Sequence, residues 1–203
     1  MNQTAARRQR QTGFTMIEVL VSLVIILLGL LGLAGLQTRL NQAEFEYYQR
    51  SQALVLLYDM VERINLHRDN APCFAISASG GTPTYGTGSG TLSCSLSGDA
   101  EKDAAAQDSM REWDGALKGA AETAGGVSVG AMLGARGCVM YDPATELAVS
   151  GGGGGTGVFT VAVSWQGTTP TVTPGVNCGT AANYGGAELR RTVFTTFRLA
   201  KLN

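Results

Sequence analysis

Residues 14–36 read FTMIEVLVSLVIILLGLLGLAGL, and only Thr15, Glu18 and Ser22 in this stretch are clearly polar. As an α-helix with a rise of ~1.5 Å per residue, the stretch would span roughly 35 Å, slightly more than the ~30 Å hydrocarbon core of a bilayer. The residues before it, MNQTAARRQRQTG, carry three arginines and no acid, and the first acid after it is Glu44. The positive-inside rule therefore predicts a cytoplasmic N-terminus and an external chain after about residue 37.

A cleaved secretory signal also combines basic residues with an apolar stretch. Here the apolar stretch is too long for a typical signal, no A-x-A-like site follows it, and the sequence after it continues as helix. We therefore expect the stretch to remain in the protein.

The composition bounds the function. The chain has 203 residues, 15 Lys and Arg against 16 Asp and Glu, and a formal net charge of -1. Without a basic excess to neutralise phosphates, nucleic-acid binding is not expected as the main role. The 28 glycines indicate an irregular, loop-rich portion rather than a compact helical bundle.

A long helix is predicted to continue beyond the apolar stretch. Neither Gly nor Pro interrupts residues 36–71, so the helix is expected to run from near Phe14 to near His67. One face of this helix carries apolar and aromatic residues, with Arg50 as the exception, at alternating spacings of 4 and 3 residues. We expect a sheet or another helix to pack against this stripe. Its members are Leu36, Leu40, Ala43, Tyr47, Arg50, Leu54, Leu57, Val61 and Ile64.

The remaining sequence predicts loops, a second helix and a small sheet. Residues 75–98 are rich in Gly, Ser and Thr and indicate a loop, and residues 99–124 have helical spacing before a stop at Gly125 and Gly126. Residues 158–165, VFTVAVSW, alternate as a half-buried strand does. Further candidate strands are 136–141, 146–149 and 190–199, with the glycine-rich residues 150–157 as a hairpin connection. The fold class is therefore α+β, with the long helix packed on an antiparallel sheet of three or four strands.

Four cysteines, Cys73, Cys94, Cys138 and Cys178, follow the apolar stretch. An even number in an oxidising compartment indicates disulfides, and four cysteines allow three connectivities. We favour Cys73–Cys94 and Cys138–Cys178, because each staples one irregular stretch and would contribute ~3 to 4 kcal/mol. A zinc site is disfavoured, because there is no CxxC pair and the single His is distant.

No catalytic set is expected. A strand follows the glycine run, whereas a phosphate-binding loop would require a helix there. His67 is interpreted as a partner of the helix dipole at the C-terminal end of the long helix. Asp108, Glu112 and Asp114 are interpreted as a solvated helix face. We therefore predict neither an enzyme nor a cofactor or metal site.

Glu18 is the unusual residue of the apolar stretch. A carboxylate in a membrane helix is unfavourable by roughly 2.5 to 3.5 kcal/mol at mid-bilayer and by less near an end, so it normally has a partner. Either Glu18 snorkels to water, or its partner comes from another subunit. A free amine at Phe14, made by cutting the chain after Gly13, would be a suitable cation.

The pattern Gly13-Phe14-Thr15-x-x-Glu18 behind a short basic leader resembles the class III signal of type IV pilins and type II secretion pseudopilins. The resemblance implies that a prepilin peptidase cuts after Gly13 and methylates Phe14, and that Glu18 guides docking into a helical filament. Residues 13–37 resemble the PilV family of minor pilins; Trp113, the strand at 159–165 and Arg190-Arg191 resemble its C-terminal pattern less specifically.

Gly29, Gly32 and Gly35 stand where major pilins often have a proline. Each disfavours helix by ~1 kcal/mol relative to Ala, so they would soften the helix. A small-residue packing face in the membrane is the alternative interpretation.

The resemblance implies a type IV pilin-like fold in three parts. Residues 1–13 would be a leader, 14–36 a transmembrane and assembly helix, and 37–203 a periplasmic domain. The implied function is that of a minor pilin which initiates pilus assembly and joins the tip complex, first in the inner membrane and then at the cell surface. Implied partners are other minor pilins and the major pilin through the N-terminal helix, the prepilin peptidase, the inner-membrane assembly platform and a large tip adhesin. The alternatives are a minor pseudopilin of type II secretion, or a bitopic membrane protein with a periplasmic ligand-binding domain.

Overall fold

A computed structural model describes residues 13–88, 90–120, 123–128, 132–147 and 155–200. The chain divides into two compact units, Met1–Glu44 and Phe45–Asn203. Helix α1, Met16–Leu66, runs through both and matches the predicted helix closely. Its length follows from the sequence, because its three glycines lie among strong helix formers and it contains no proline.

In the first unit, α1 exposes its apolar side chains. No residue in its most apolar 18-residue segment is buried. By length and composition the helix could cross a membrane. A β-carbon at Gly29, Gly32 or Gly35 would meet nothing within 4 Å. The polar side chains bond within the helix: the Ser22 hydroxyl donates to the Glu18 carbonyl at 2.8 Å. This satisfies a group that would otherwise be unpaired in an apolar environment.

In the second unit, α1 buries a face that is rotated from the predicted stripe. The buried residues of the helix are Gln49, Ala53, Leu57, Met60 and Ile64. The predicted stripe shares Leu57 and Ile64 with this face, but Tyr47 is 75% exposed and Leu54 is 38% exposed. The stripe was wrong there because a repeat of 3.5 residues drifts by about 20° per heptad on a straight helix of 3.6 residues per turn.

The sheet has four antiparallel strands in the order β1-β4-β5-β6: β1 Tyr85–Gly86, β4 Arg136–Asp142, β5 Val158–Gln166 and β6 Arg190–Arg198. The predicted strands at 136–141, 158–165 and 190–199 are confirmed. The predicted strand at 146–149 is wrong at Glu146 and Leu147, which are not in a strand, and residues 148–149 lie outside the described residues, as do 150–154 of the glycine run. The stretch 75–98, predicted as loop, contributes β1.

Alternation along β5 gives the sheet two different faces. The predicted apolar face is confirmed, since Phe159, Val161, Val163 and Trp165 are all buried. We call this the inner face, because it carries the core. The other, outer face contains Ala162 and Ser164, which are also buried under the segment that ends at Cys178.

Helix α2, Ala100–Leu117, covers the inner face together with α1. The side chain of Asp99 caps its N-terminus by accepting hydrogen bonds from the backbone of Glu101 and Lys102. The helix ends before the predicted residue 124. Gly125 and Gly126 do not stop a helix; with φ of 60° and 82° they form the turn of a hairpin between β2, Thr123–Ala124, and β3, Val127–Ser128.

Two disulfides join the pairs that the sequence favours. Cys73–Cys94 links the short 3-10 helix Arg68–Phe74 to the segment before α2. Cys138–Cys178 fastens a coil segment to β4 on the outer face of the sheet. The sequence separations are 21 and 40 residues, and the longer loop is not one irregular stretch as expected, because it contains strand β5.

Candidate functional site

The start of α1 is open on all sides in the described part of the chain. Gly13 lies in coil before the helix, and a β-carbon there would meet nothing within 4 Å. Phe14 is 86% exposed. The carbonyl of Thr15 accepts the first helical hydrogen bonds, from the backbone of Glu18 and Val19 at 3.1 and 3.3 Å. The peptide bond after Gly13 is therefore outside the helix and accessible to a protease.

Glu18 lies in the first turn of α1, where the positive end of the helix dipole favours a carboxylate. Its side chain is exposed, and no described residue forms an ion pair with it. A carboxylate in this position can bind a cation supplied from outside the chain. Both interpretations of Glu18, snorkelling and intermolecular pairing, are compatible with this geometry.

The apolar surface behind Glu18 is continuous. Every large apolar side chain from Ile17 to Leu36 is more than half exposed. Exposed apolar surface of this extent marks contact with a membrane or with other protein chains. Gly29, Gly32 and Gly35 lie within it, with open space around each.

The three acidic residues of α2 that the sequence singled out each have a partner in the second unit. Asp108 pairs with Arg111 at 2.8 Å, and Glu112 pairs with Arg63 at 2.9 Å. The interpretation of Asp114 as solvated was wrong: it is 8% exposed, and its carboxylate accepts a hydrogen bond from the Gly86 backbone at 2.7 Å. Asp114 is buried because its face of α2 packs against β1, where the carboxylate accepts the hydrogen bond of the Gly86 N–H at the edge of the sheet.

His67 lies directly after α1, and its ring stacks on Phe74 with centroids 5.8 Å apart. Among the described residues there is no group of three or more His, Cys, Asp or Glu that could hold a metal ion. An open groove on the outer face is lined by Ser77, Met140, Asp142 and Asn177, among others. The Ser77 hydroxyl donates to Pro83, and Asn177 accepts from Arg190, so these polar groups already have partners.

A polar cluster that the sequence did not reveal joins α1 to the sheet within the second unit. The Glu46 carboxylate accepts hydrogen bonds from the backbone and hydroxyl of Thr168 at 3.1 and 2.6 Å, and lies 3.4 Å from the Arg191 guanidinium. The hydrogen bond from the Thr168 hydroxyl, followed by the backbone bonds and the charge of Arg191, holds the pKa of Glu46 below its usual value despite some desolvation.

Arg191 and its neighbour Arg190 hold the segment between β5 and β6 from opposite faces. Arg191 donates to the Thr169 carbonyl at 2.5 Å and to the Thr171 hydroxyl at 2.6 Å on the inner side. Arg190 is 3% exposed and donates to Gly179 at 3.2 Å and to Asn177 at 2.8 Å on the outer side. Arg191 thus holds the first part of this connection, and Arg190 holds its middle.

Comparison with known families concerns the N-terminal part of the chain. Residues 8–34 match the family described as the prokaryotic N-terminal methylation motif. No significant match to the chain was found among curated proteins or among solved structures. The matched motif contains Gly13, Phe14 and Glu18, and the exposed apolar helix begins within it. Together with the long helix packed on a small antiparallel sheet, the motif supports a type IV pilin-like protein, either a pilin or a pseudopilin.

Proposed function

We propose that the chain is a minor pilin of the PilV family, a structural subunit that takes part in starting type IV pilus assembly and in the tip complex. Residues 1–13 are the leader, and a prepilin peptidase removes it and methylates Phe14. Residues 14–36 then hold the subunit in the inner membrane, with the N-terminus in the cytoplasm. Residues 37–203 form the periplasmic domain until assembly carries the subunit to the cell surface.

The observation that carries this proposal is that the N-terminal part of α1 is exposed and apolar, whereas its C-terminal part is packed in a folded domain. Its N-terminal part exposes apolar side chains directly after an accessible Gly13–Phe14 bond. Its C-terminal part buries Leu57, Met60 and Ile64 beneath the sheet of the second unit. A subunit built this way can leave lipid for a helical bundle of other subunits while its globular part stays folded.

Glu18 would act in assembly. In a bundle of apolar helices its carboxylate can pair with the new amine of Phe14, its own or that of an adjacent subunit. Such a pair is favourable only when both charges are present, because an unpaired buried charge is costly. Gly29, Gly32 and Gly35 would let the helix unwind locally when the subunit enters the filament.

The partners follow from this role. The N-terminal helix would contact other minor pilins and the major pilin, and the membrane-embedded precursor would meet the prepilin peptidase and the assembly platform. A large tip adhesin would bind above the minor-pilin complex. A minor pseudopilin of type II secretion is the second candidate, because the motif at residues 8–34 fits both systems equally.

Mass spectrometry of the protein from cells with an active prepilin peptidase tests the processing. We expect an N-terminal methylated Phe14, and we expect Gly13→Ala to leave the leader in place. Gly29→Ala is the matched control, because it also adds a methyl group in open space but lies away from the cleaved bond. An intact leader on the wild-type chain would overturn the proposal.

Deletion and complementation separate the two candidate systems. Loss of surface pili and of twitching motility on deletion, restored by the wild-type chain but not by Gly13→Ala, supports the minor pilin. Normal pili together with lost secretion of folded exoproteins would assign the chain to type II secretion instead.

A further inference from the structure

Strand β6 forms one edge of the sheet, and its register shows which of its backbone groups point outward. Gln166 lies opposite Arg190, and the next backbone bond runs from the Gly167 N–H to the Leu189 carbonyl at 2.8 Å. Hydrogen-bonded pairs alternate in an antiparallel ladder. The odd-numbered residues of β6 therefore bond to β5, and the N–H and C=O groups of the even-numbered residues point away from the sheet.

The outward groups of Thr192, Phe194, Thr196 and Arg198 have no backbone or side-chain partner among the described residues. Phe194 is also 54% exposed on the outer face beside this edge. Exposed N–H and C=O rows are templates for another strand, and proteins usually blunt them with proline, lysine, bulges or short strands. Strand β6 is nine residues long, contains neither proline nor lysine, and pairs with β5 without a bulge.

The opposite edge of the sheet is formed by a short strand that is bonded to α2. Strand β1 has only two residues, and the N–H of Gly86 on it donates to the Asp114 carboxylate of α2. A two-residue strand bonded to a helix is a poor template for another strand, whereas the nine-residue β6 is a good one.

The charge of the open edge indicates what can pair with it. Residues 190–198 contain three arginines and no acid. Arg190 and Arg191 are already bonded to the segment before β6, whereas Arg198 is exposed and has no ion-pair partner in the described part of the chain. Antiparallel pairing of two copies about Phe194 would place Arg190 opposite Arg198 at both ends, and like charges opposite each other are destabilising.

We propose that the outer edge of β6, from Thr192 to Arg198, is a docking site for an extended segment of a different protein chain that carries an acidic residue opposite Arg198. The segment adds to the sheet as a fifth strand. Its backbone takes the free N–H and C=O groups of Thr192, Phe194 and Thr196, and its side chains cover Phe194. This mode of recognition obtains affinity from the backbone ladder and specificity from the alternate side chains.

Hydrogen exchange on the full-length chain in detergent tests the site. The probe is the capped peptide Glu-Glu-Thr-Val-Thr-Val-Thr-Glu-Glu, with the same peptide carrying lysines in place of the glutamates as control. The amides of Val193 and Thr195 are expected to exchange slowly with or without peptide. Those of Thr192, Phe194 and Thr196 are expected to become slow when peptide is added, at about fivefold lower concentrations of the glutamate peptide than of the lysine peptide.

Two substitutions make the test specific. Thr196→Pro removes one outward N–H without touching the ladder to β5, so peptide binding should be lost, whereas Thr196→Val keeps the N–H and should bind as the wild type does. Arg198→Glu should reverse the preference between the two peptides. This variant keeps the site testable if the proline variant does not fold.

The proposal would be overturned by unchanged exchange at Thr192, Phe194 and Thr196, by equal affinity for the two peptides, or by normal binding to a folded Thr196→Pro chain. Concentration-dependent protection of the same amides without peptide, together with a dimer in sedimentation, would assign the edge to a second copy and overturn it as well.

Discussion

The indole ring of Trp113 on α2 lies directly over Gly137 on β4, in the space that a β-carbon at residue 137 would occupy. The indole N–H of the same ring donates to the Leu56 carbonyl of α1 at 2.8 Å, and the ring makes a T-shaped contact with Tyr85 at a centroid distance of 4.9 Å. One side chain thus joins both helices to the inner face, and it can do so only because residue 137 is glycine.

Gly137→Ala should therefore destabilise the second unit by about 1 to 3 kcal/mol, the usual cost of overpacking a core. Chemical denaturation of the full-length chain in detergent, followed by the fluorescence of the two tryptophans, measures the change. Gly175→Ala is the matched control, because a β-carbon there meets nothing within 4 Å. Equal stability of the two variants would show that the ring can move aside.

Loss of the disulfide Cys138–Cys178 should lower the free energy of unfolding more than loss of Cys73–Cys94. The loops they close span 40 and 21 residues, for which chain entropy gives about 4 and about 3 kcal/mol. Pairwise serine variants, compared by denaturation without reductant, check the order. A larger loss for the Cys73 and Cys94 pair would place the stabilisation in local packing instead.

Glu46 should make stability depend on pH below about 4.5, its ordinary value. Its pKa is lowered in the folded chain, so the stabilising contribution is complete above the unfolded pKa and is lost as the pH falls through the folded one. The difference in unfolding free energy between wild type and Glu46→Gln should accordingly be constant near neutral pH and shrink as the pH falls below about 4.5.

The control for Glu46 is Glu44→Gln, which removes an exposed carboxylate two residues earlier on α1. We expect this variant to unfold with the same free energy as the wild type at neutral pH. If Glu46→Gln also follows the wild type, the contacts with Thr168 and Arg191 contribute no measurable stability.

Glu18→Val should leave membrane insertion and leader removal intact and reduce assembly. The substitution removes a carboxylate from an apolar helix, which favours insertion, but it leaves an amine unpaired in a bundle, at a cost of about 3 to 5 kcal/mol. Co-purification with other minor pilins and counts of surface pili measure the effect, with Glu44→Val as the matched control. Unchanged co-purification with normal cleavage would favour snorkelling.

The sequence predicted those elements whose signal is local and long. The uninterrupted run before His67 predicted α1, and the alternation from Phe159 to Trp165 predicted β5. Strand β1 was missed because it has two residues inside a stretch rich in Gly, Ser and Thr. Asp114 was misplaced because helical spacing cannot show that a strand edge lies beside it.

In the candidate site, too, the sequence predicted the residues that are close together in the chain and missed the contacts between distant residues. Gly13, Phe14 and Glu18 are neighbours in the sequence, so a motif reveals them. The contact of Glu46 with Thr168 spans 122 residues, and the open edge of β6 depends on which strands do not pair. Neither leaves a periodic trace, because both arise from the order of strands in the sheet.

The hydrogen bonds of Arg190 and Arg191 to the β5–β6 connection depend on which face of the sheet each side chain is on, as well as on charge. Val193 and Phe197 fix the rest of β6 against β5, so inserting one residue between Arg191 and Thr192 would turn both guanidinium groups to the wrong faces. Thr169 and Asn177 would lose their donors together, although every charge would still be present. Evolution can therefore lengthen this connection before Arg190 more easily than it can add or remove a single residue just after Arg191.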